Sequence, residues 1–390
     1  HQIYGGVAMR EGWEIKKLGE VCEVIGGSTP KTNEPLYWNG EYYWITPAEL
    51  NGSKYISSTI RTITDAGVKN AHLQLLPQGT VLLSSRAPIG KVAITTVPMY
   101  CNQGFKNLVC SNHLRNEYVY WFLLYNTVYL NSLGTGATFK EISKKVVEQI
   151  PIPVPPLAEQ ERIVGELDLL SGVIAKKREQ LTQLDALAQS IFYTMFGDPI
   201  SNNKDWMLKR ISDIGIILTG NTPSTKDNNN YIPAEVCFVK PSDIPKDGIS
   251  FIVDTECYVS KKGYEKSRQL PKGSVLVTCI GIIGKVAILD IEAAFNQQIN
   301  AIVPRNVNSI YLAYTISGLR SELESIANAP VVPIINKSVF SSIEIPIPPI
   351  SLQQQFAEKI DAIEKQKERI RQSLTEVQQL FDSRMNYYFG

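Results

Sequence analysis

The chain has 390 residues, of which 44% are hydrophobic, enough to form two globular cores of ordinary size. Lysine and arginine number 39 against 38 aspartate and glutamate, so a polyanion would have to meet a local basic patch rather than a basic molecule. The six cysteines include no CxxC pair and none lies at ligand spacing from a histidine, which argues against zinc and favours reduced thiols in a cytoplasmic protein. No uninterrupted apolar stretch reaches the length of a membrane span, and we expect no membrane partner.

We expect no signal peptide at the beginning of the chain. Residues 1–6 have neither the basic nor the apolar region of a signal peptide. Met9 is a candidate natural start, and on that expectation residues 1–8 are left from an expression vector.

Residues 13–197 recur, with many substitutions, as residues 206–390. The offset is 193 between Trp13 and Trp206, and it holds best through the last part of each half. A repeat of this length is a whole domain with its connector, far longer than the unit of a solenoid. Two related but divergent halves suggest two similar tasks carried out on two different targets.

The first part of each half, about residues 13–150 and 206–343, predicts a twisted sheet with loops. Short β-prone runs lie between glycines and prolines, and one helical stretch interrupts each set. The fold class is therefore α+β. The predicted strands lie at 79–85, 91–94, 273–278 and 285–288, and the predicted helices at 117–130 and 309–325.

The second part of each half starts with an extended, proline-rich segment, because repeated prolines cannot occupy a helix interior. A long helix follows, and Ser351 with Gln354 fits a capping box at the start of the second one. Apolar residues then recur at alternating spacings of four and three over about five heptads, which is typical of a coiled coil. The seam residues are Ile163, Leu167, Leu170, Ile174, Leu181 and Leu184, and Phe356, Ile360, Ile363, Ile370, Leu374 and Val377.

Two arrangements of these helices are open. Roughly 40 residues at 1.5 Å each make a rod of about 60 Å, longer than the surface of a small domain, so we expect the helices to pack antiparallel on each other. That pairing would hold the two domains apart and give the molecule an approximate two-fold axis. The alternative is an amphipathic helix lying on its own domain. Lys177 and Lys367 interrupt the seam, and they could fix the register or simply extend to solvent.

No catalytic constellation is found in the sequence. Gly90-Lys91 and Gly284-Lys285 lack the upstream glycine and the following Ser or Thr of a phosphate-binding loop. No GxGxxG motif follows a predicted strand, and no Asn-Pro-Pro-aromatic stretch indicates an adenine methyltransferase pocket. None of the three histidines recurs in the second half. We therefore predict neither catalytic nor metal-binding residues.

Small loops of polar and cationic residues recur instead. Ser, Thr, Asn, Gln, Lys and Arg bond phosphates and read base edges, and loops on a rigid sheet suit that task. The same residues could equally serve the backbone geometry of ordinary turns. Positions where the halves differ, such as Arg86 against Ile280 and Ala48 against Ser242, are where different targets could be encoded. The candidate DNA-binding residues are Ser28, Thr29, Lys31, Thr32, Thr46, Ser84, Ser85, Arg86, Lys91, Gln103, Lys106, Lys140, Asn221, Thr222, Lys226, Lys240, Ser242, Lys285, Gln297, Asn300 and Lys337.

Segments in both halves carry a family resemblance. They read GTVLLSSRAPIG (79–90), NQGF (102–105), GAT (136–138) and IPVPPLAEQERIV (152–164) in the first half, and LPKG (270–273), GKVAI (284–288), NQ (296–297) and PPISLQQQF (348–356) in the second. Together these segments resemble the specificity subunits of type I restriction-modification systems. The second half departs at 281–283, where Ser/Arg-Ala-Pro would be expected.

The resemblance implies two tandem α/β target-recognition domains separated by a long antiparallel two-helix coiled coil. Each domain would read one half of a split, asymmetric site in double-stranded DNA, and the coil length would set the unread spacer. The chain would be a non-catalytic subunit that recruits two methyltransferase and two restriction subunits, which would bind S-adenosylmethionine, ATP and Mg. The implied segments are recognition domain 1 at 1–150, the first conserved helix at 151–200, recognition domain 2 at 201–343 and the second conserved helix at 344–390.

Two other functions compete with this interpretation. The repeated loops alone would also suit a scaffold that does not bind DNA, with two peptide- or sugar-binding modules on a coiled coil. A self-sufficient methyltransferase or nuclease with fused recognition domains would need a catalytic motif, and the sequence contains none.

Overall fold

The structure is a computed structural model that describes residues 12–136, 140–327 and 333–390. Met9 with the residues before it, and residues 137 and 138 of the GAT segment, lie outside the described residues. The chain forms two compact units, His1–Lys176 with Ser373–Gly390, and Lys177–Gln372. Each unit therefore contains one globular domain together with parts of both long helices.

The globular domain of the first unit is built on a five-stranded sheet with two smaller sheets beside it. The strands of the domain are β1 (Glu14–Lys17), β2 (Cys22–Gly26), β3 (Trp38–Ile45), β4 (Tyr55–Ile56), β5 (Arg61–Ile63), β6 (Val81–Leu83), β7 (Val92–Thr95), β8 (Tyr100–Cys101), β9 (Lys106–Cys110) and β10 (Pro151–Val154). The large sheet has the order β2-β9-β6-β7-β4, and β5-β3-β8 and β1-β10 form two smaller sheets. Val81 and Leu83 face one core and Leu82 faces another, so the central strand is buried on both sides.

The helices of the first unit are α1 (Leu18–Val21), α2 (Asp65–Asn70), α3 (Asn116–Tyr125), α4 (Thr127–Ser132), α5 (Lys144–Glu148) and the long α6 (Leu157–Phe196), with short 3-10 turns at Pro35–Tyr37 and Pro47–Glu49. All of them except α2 contribute to the core on one face of the large sheet, whereas α2 packs beside β3. Tyr118 and Phe122 of α3 are fully buried and share a core with Val81 and Val92 of the sheet. Burying aromatic side chains of this size supplies much of the hydrophobic stabilisation of the domain.

The second unit repeats this architecture. Its strands are β11 (Met207–Arg210), β12 (Gly215–Thr219), β13 (Val236–Val239), β14 (Ile249–Ile252), β15 (Tyr258–Val259), β16 (Gln269–Leu270), β17 (Val275–Thr278), β18 (Val286–Leu289), β19 (Ala293–Phe295), β20 (Ile299–Pro304) and β21 (Glu344–Ile347). The large sheet has the order β12-β20-β17-β18-β14, the counterpart of the order in the first unit. The internal repeat expected from the sequence is confirmed, as is the α+β class.

The helices of the second unit follow the same plan. They are α7 (Ile211–Ile214), α8 (Lys261–Glu265), α9 (Ser309–Gly318), α10 (Arg320–Ile326), α11 (Lys337–Ser342) and the long α12 (Ile350–Phe389), with 3-10 turns at Asn228–Asn230 and Pro241–Asp243. Tyr311 of α9 is fully buried against Val275 and Val286 of the sheet. The β-prone runs of the sequence thus form β6, β7, β17 and β18, within one or two residues of their predicted ends.

The single helix predicted in each domain is in fact two short helices. In the first unit α3 ends and α4 begins at Asn126, which has φ −86° and ψ 16°. The buried Asn126 amide donates to the Phe122 carbonyl at 2.9 Å, so its side chain takes part in ending the helix. In the second unit the break falls at Leu319. Apolar periodicity continues across both breaks, which explains why the sequence predicts one helix.

A buried glutamine joins each long helix to its domain. Gln160 of α6 is fully buried, accepts from the Arg115 amide at 2.8 Å and donates to the Pro155 carbonyl at 2.9 Å. Gln353 of α12 likewise accepts from the Asn308 amide at 2.9 Å and donates to the Pro348 carbonyl at 2.8 Å. Each glutamine connects the start of a domain helix, the end of the proline segment and the long helix, so the direction of the long helix is fixed at its base.

In the first unit the beginning of α6 packs against the end of α12. Arg162 donates to the Tyr388 hydroxyl at 3.2 Å, and Glu166 forms an ion pair with Arg384 at 2.6 Å. Moving four residues along α6 moves the partner four residues back along α12, so the helices run antiparallel here. Phe389 is fully buried in the same core as Tyr118. The helix end therefore also rests on the globular domain of the first unit.

In the second unit the end of α6 packs against the beginning of α12, again antiparallel. Phe192 and Phe196 lie with their ring centroids 5.7 and 5.3 Å from that of Phe356. Further along, the Lys367 ammonium lies 2.6 Å from an Asp185 carboxylate oxygen. The antiparallel coiled coil predicted from the heptads is confirmed. The alternative is also partly true, since the helix ends share their cores with the domains.

Lys367 does not extend to solvent. It is 3% exposed, and besides Asp185 it contacts the Glu364 carboxylate on its own helix at 2.5 Å. An ammonium held between two carboxylates inside a helix seam favours one register over its neighbours. Lys177, the other lysine in the seam, is half-buried.

Burial varies along the seam. The buried seam residues are Ile163, Leu167, Ile174, Phe356, Ile360 and Ile363, and the half-buried ones are Leu170, Leu181, Leu184, Ile370, Leu374 and Val377.

The capping box predicted at Ser351 is wrong, because α12 begins at Ile350 and Ser351 lies inside its first turn.

Throughout the described part of the chain, every helix is either too short or too polar to cross a membrane.

Candidate nucleic-acid interface

A glycine-led loop after β2 lies directly against the turn that follows β8. The Ser28 amide donates to the Cys101 carbonyl at 3.0 Å, and the Thr29 hydroxyl donates to Oε1 of the exposed Gln103. A Cβ added to Gly27 would stand 2.2 Å from the Cys101 carbonyl oxygen, so only glycine permits this approach. The loop and the turn therefore form one rigid surface.

The second domain builds the same surface from different residues. The Asn221 amide donates to the Phe295 carbonyl at 3.1 Å, and the Thr222 hydroxyl donates to Oε1 of the exposed Gln297 at 2.6 Å. A Cβ on Gly220 would lie 2.5 Å from the Phe295 carbonyl oxygen. The close approach thus recurs at the equivalent position.

Asn102 and Asn296, which precede these glutamines, shape the turns. Oδ1 of Asn102 accepts from the Gly104 amide at 2.9 Å, and Oδ1 of Asn296 accepts from the Gln298 amide at 3.1 Å. Such contacts between a side chain and the backbone two residues on are the usual role of asparagine in a turn. The asparagines are structural here, while the glutamines beside them face solvent.

A charged cluster borders this surface in the first domain. Arg86 and Glu141 form a β-bridge, and Nε of Arg86 lies 3.0 Å from the carboxylate. The Lys106 ammonium approaches the other carboxylate oxygen at 3.2 Å and the Ser85 hydroxyl at 3.4 Å. Burial alone would raise the pKa of Glu141, but the hydrogen bonds and charges of Lys106 and Arg86 outweigh it, so the pKa lies below its usual value.

At the equivalent positions the second domain has uncharged residues. Ile280 bridges to Ile334, as Arg86 does to Glu141, and Ile334 is 49% exposed. The residue in the place of Lys106 is the buried Asn300, whose Oδ1 accepts from the Thr219 hydroxyl at 2.6 Å. Asn300 therefore links β12 and β20 and does not face solvent. The exposed surface here is apolar.

Two lysines among the candidates turn inward. The Lys91 ammonium donates to the Pro47 carbonyl at 3.4 Å, and that of Lys285 donates to the Pro241 carbonyl at 2.6 Å. Lys285 is buried; burial lowers its pKa and the nearby charge of Arg320 lowers it further. Lys91 thus connects the 3-10 turn Pro47–Glu49 to the sheet, and Lys285 does so for the turn Pro241–Asp243. Both ammonium groups are therefore engaged within the protein.

Other candidates shape these turns. The Thr46 amide donates to the Glu49 carboxylate at 2.9 Å, and the Lys240 amide donates to that of Asp243 at 2.7 Å. The Lys240 ammonium lies 2.9 Å from the Cys257 sulfur, and this hydrogen bond raises the pKa of Lys240. Buried Ser84 accepts from the Lys91 amide at 2.9 Å.

The remaining candidates are exposed: Lys31, Thr32, Lys140, Lys226, Ser242 and Lys337.

Sequence reasoning missed an exposed cation held by aromatic rings. The Arg61 guanidinium lies 3.5 Å from the ring centroid of Trp38 and 5.5 Å from that of Trp44. Trp44 also donates to the Ser28 carbonyl at 3.1 Å, which connects this stack to the glycine-led loop. The density of aromatic residues in β3 is the signal that could have found it. A guanidinium spread over a ring face is a cation available to a phosphate.

The residues described, with their gaps at 1–11, 137–139 and 328–332, include no group of three or more His, Cys, Asp or Glu side chains placed to hold a metal ion.

Comparison with known proteins gives a consistent result. The model of the type I restriction modification DNA specificity domain matches residues 10–185 and again 203–379. The chain is 35% identical over 253 residues to the type I restriction enzyme MjaIX specificity subunit of Methanocaldococcus jannaschii, an alignment covering 60% of this chain and 58% of that protein. It spans only 36% to 58% of the length of the first curated relatives it matches.

Solved structures share the fold over almost the whole chain. The S subunit of a type I restriction-modification system from M. genitalium superimposes with a TM-score of 0.62 at 12% identity, covering 98% of both chains. A chain from a study of complex assembly and conformational transition of the type I R-M system superimposes with a TM-score of 0.60 at 18% identity, covering 98% of this chain and 99% of that one. The two matched regions together exceed half of the chain. The protein therefore belongs to the type I restriction modification DNA specificity domain family and carries two such domains.

Proposed function

We propose that the chain is a non-catalytic specificity subunit in which each domain reads one half of a split, asymmetric site in double-stranded DNA. One observation carries this proposal: the same loop surface is built twice on the same sheet order, with different exposed side chains on it. The bridge positions hold Arg86 and Glu141 in one domain and Ile280 and Ile334 in the other. Identical readers would predict identical side chains, whereas two different half-sites require different ones.

The two domains suit different kinds of base contact. Arg86 is a half-exposed cation, and arginine side chains pair with guanine in the major groove or with phosphates. Ile282 and Ile334 of the second domain are 56% and 49% exposed, and exposed apolar side chains contact thymine methyl groups. The half-site read by the second domain is therefore expected to depend more on shape and methyl contacts than on charge.

Affinity for DNA is expected to need partner subunits. The chain has a net charge of +1, and two of its candidate cations are engaged internally, Lys106 by the Glu141 carboxylate and Lys285 by a backbone carbonyl. Phosphate neutralisation supplies much of protein–DNA affinity. We propose that two methyltransferase subunits close around the duplex and that two restriction subunits join the full complex, in the cytoplasm. S-adenosylmethionine, ATP and Mg would be bound by those subunits.

The test is co-expression with the methyltransferase subunit of the same system, followed by mapping of modified adenines on genomic DNA. One asymmetric, split motif is expected. Replacing residues 206–343 with those of a relative should change one half of that motif and leave the other intact. A change in both halves would contradict independent reading. Modification without any motif, or none at all with an active methyltransferase present, would favour a scaffold that does not bind DNA.

The isolated chain provides a second check. It is expected to bind its site weakly at physiological salt, because its net charge is only +1 and phosphate neutralisation supplies much of the affinity. Sub-nanomolar, sequence-selective binding by the chain alone would contradict the role given to the methyltransferase subunits.

A further inference from the structure

A threonine hydroxyl and a glutamine amide are paired at the same place in both domains. Thr29 donates to Oε1 of Gln103, and Thr222 donates to Oε1 of Gln297. The residues lie in corresponding loops, after β2 and β12 for the threonines and after β8 and β19 for the glutamines. The pair is therefore one arrangement inherited by both copies.

The backbone on both sides of the pair is fixed. On one side, Gly27 and Gly220 allow the loop to lie against the neighbouring carbonyls. On the other side, Asn102 and Asn296 close the turns that carry the glutamines. An exposed glutamine ordinarily loses rotamer freedom when it binds a ligand, and here part of that loss has occurred in the folded protein.

The orientation of each amide follows from its hydroxyl partner. Because the threonine donates to Oε1, the acceptor end of the amide is turned toward the protein. The Nε2 group, with two N–H donors, is the end left for solvent. Both glutamines are exposed, and neither Nε2 donates to any residue in the described ranges. Each domain thus presents a positioned, uncharged donor beside its loop surface.

The surroundings indicate what this donor contacts. Neighbouring bridge positions differ between the domains, Arg86 against Ile280 and Glu141 against Ile334, and such positions suit base reading. Gln103 and Gln297, in contrast, are the same residue type on two domains that are proposed to read different half-sites. We therefore expect their amides to contact a chemical group that both half-sites contain. The phosphate backbone is shared, and it accepts hydrogen bonds from amide donors.

We propose that Gln103 and Gln297 each donate from Nε2 to a DNA phosphate, at equivalent points of the two half-sites, and so set the position of each domain on the duplex. This inference rests on the proposed function of the chain as a DNA-reading subunit. The contact is uncharged, so it releases no counterion and adds nothing to the salt dependence of binding. It carries no sequence information.

The test uses the complex with methyltransferase subunits and the variants Gln103→Ala and Gln297→Ala. Affinity is measured across a range of salt on the duplex modified by the wild type and on a scrambled duplex, and the modified motif is mapped. Each variant is expected to bind both duplexes about 3- to 10-fold more weakly, the loss of one hydrogen bond. The salt slope and the motif should stay as in the wild type.

Two further variants sharpen the result. Gln103→Glu replaces the donor with a carboxylate of the same shape, and repulsion from a phosphate should make its loss larger than that of Gln103→Ala. Gln78→Ala is the matched control, because Gln78 is an exposed glutamine at the opposite end of β6 from Ser84, and it should bind as the wild type does. Melting temperatures near that of the wild type establish that all variants fold.

Three outcomes overturn the proposal. A motif that relaxes at one base would make the glutamine a base reader. Unchanged affinity on both duplexes would make the pair a turn element only. A Gln103→Glu complex that binds as tightly as the wild type would exclude a phosphate beside Nε2. Failure of the proposed function is a separate result, because then the wild-type complex itself would show no split motif.

Discussion

The two recognition domains share a backbone and differ in the chemistry attached to it. A β-bridge next to the loop surface joins Arg86 to Glu141 in one domain and Ile280 to Ile334 in the other. Beneath it, Leu82 and Leu276 are fully buried at equivalent places in the central strands. Buried positions tolerate little change because cavities and overpacking cost stability, whereas exposed bridge positions tolerate much. The difference shows that the side chains beside the loop surface can change without alteration of the sheet.

The most damaging substitutions should be those that test the shared backbone. Gly27→Ala and Gly220→Ala place a Cβ within 2.2 and 2.1 Å of a backbone oxygen, and each is expected to destabilise the protein by about 2–3 kcal/mol. Thermal or urea unfolding measures the loss. Gly165→Ala in α6 is the control, since nothing lies within 4 Å of that Cβ, and it should stabilise by about 1 kcal/mol. Similar losses in the free energy of unfolding for the two loop variants would support a shared backbone scaffold. A small loss for either variant would contradict it.

The comparison extends to the long helices, where the halves differ at a seam position. Lys367 on α12 stands where α6 carries Ile174, and Asp185 stands where α12 carries Gln378. Asp185→Ala should destabilise by about 1–3 kcal/mol, because it removes one of two carboxylates around a buried ammonium. Denaturant unfolding provides the measurement.

Two matched variants separate the causes in this experiment. Gln378→Ala should be almost neutral, since no buried charge depends on it. Lys367→Met in the Asp185→Ala background should recover most of the loss, because an apolar side chain needs no counter-charge in the seam. If the double variant is no more stable than Asp185→Ala, the ion pair is not the reason for the loss.

Removing the carboxylate of the charged cluster should change DNA binding in one domain only. Glu141→Gln frees Lys106 and Arg86 from their counter-charge, and the slope of log affinity against log salt should steepen by about one to two units in the methyltransferase complex. Ile334→Gln, the equivalent change in the second domain, should leave the slope unchanged because Ile280 and Asn300 stand there in place of Arg86 and Lys106. Equal slopes for the two variants would argue that the cluster does not face DNA.

The smallest expected effect is a difference in pH dependence. The folded-state pKa of Glu141 lies below the ordinary value of 4.5, so its contribution to stability is fully present above that pH. It is lost as the pH falls below 4.5 and through the lowered folded value. Stability measured between pH 6 and about 3 should therefore fall slightly less in Glu141→Gln than in the wild type. A steeper fall in the variant would reverse the assigned direction of the pKa shift.

Much of the fold could be predicted because its determinants are local or periodic. Heptad spacing predicts α6 and α12, and strands such as β6 and β17 lie between glycine and proline. The helix breaks at Asn126 and Leu319 depend on side-chain contacts and tertiary packing that periodicity does not express. The capping box at Ser351 failed because the preceding Pro349 carbonyl already accepts the first helical hydrogen bonds, from Leu352 and Gln353.

The candidate site was harder to predict, because composition does not state where a side chain points. Lys91 and Lys285 carry the right charge but turn to internal carbonyls, and Asn300 is buried between strands. Arg61 lies outside the repeated loops, and only the fold brings it onto Trp38. Loops that were recognised as repeats did contain Thr29 and Gln103, which the structure brings together.

The ion pair of Lys367 has a consequence for the choice of helix partner. If two copies of the second half were to associate through their long helices, each Lys367 would face Gln378 and remain without Asp185. In a pair of first halves, Asp185 would face Ile174 instead. A buried ammonium that loses a carboxylate is costly, so each helix is better matched to the other than to a copy of itself. Duplication alone would have permitted self-pairing in a crowded cell, and one lysine in the seam makes the intramolecular pairing the favoured one.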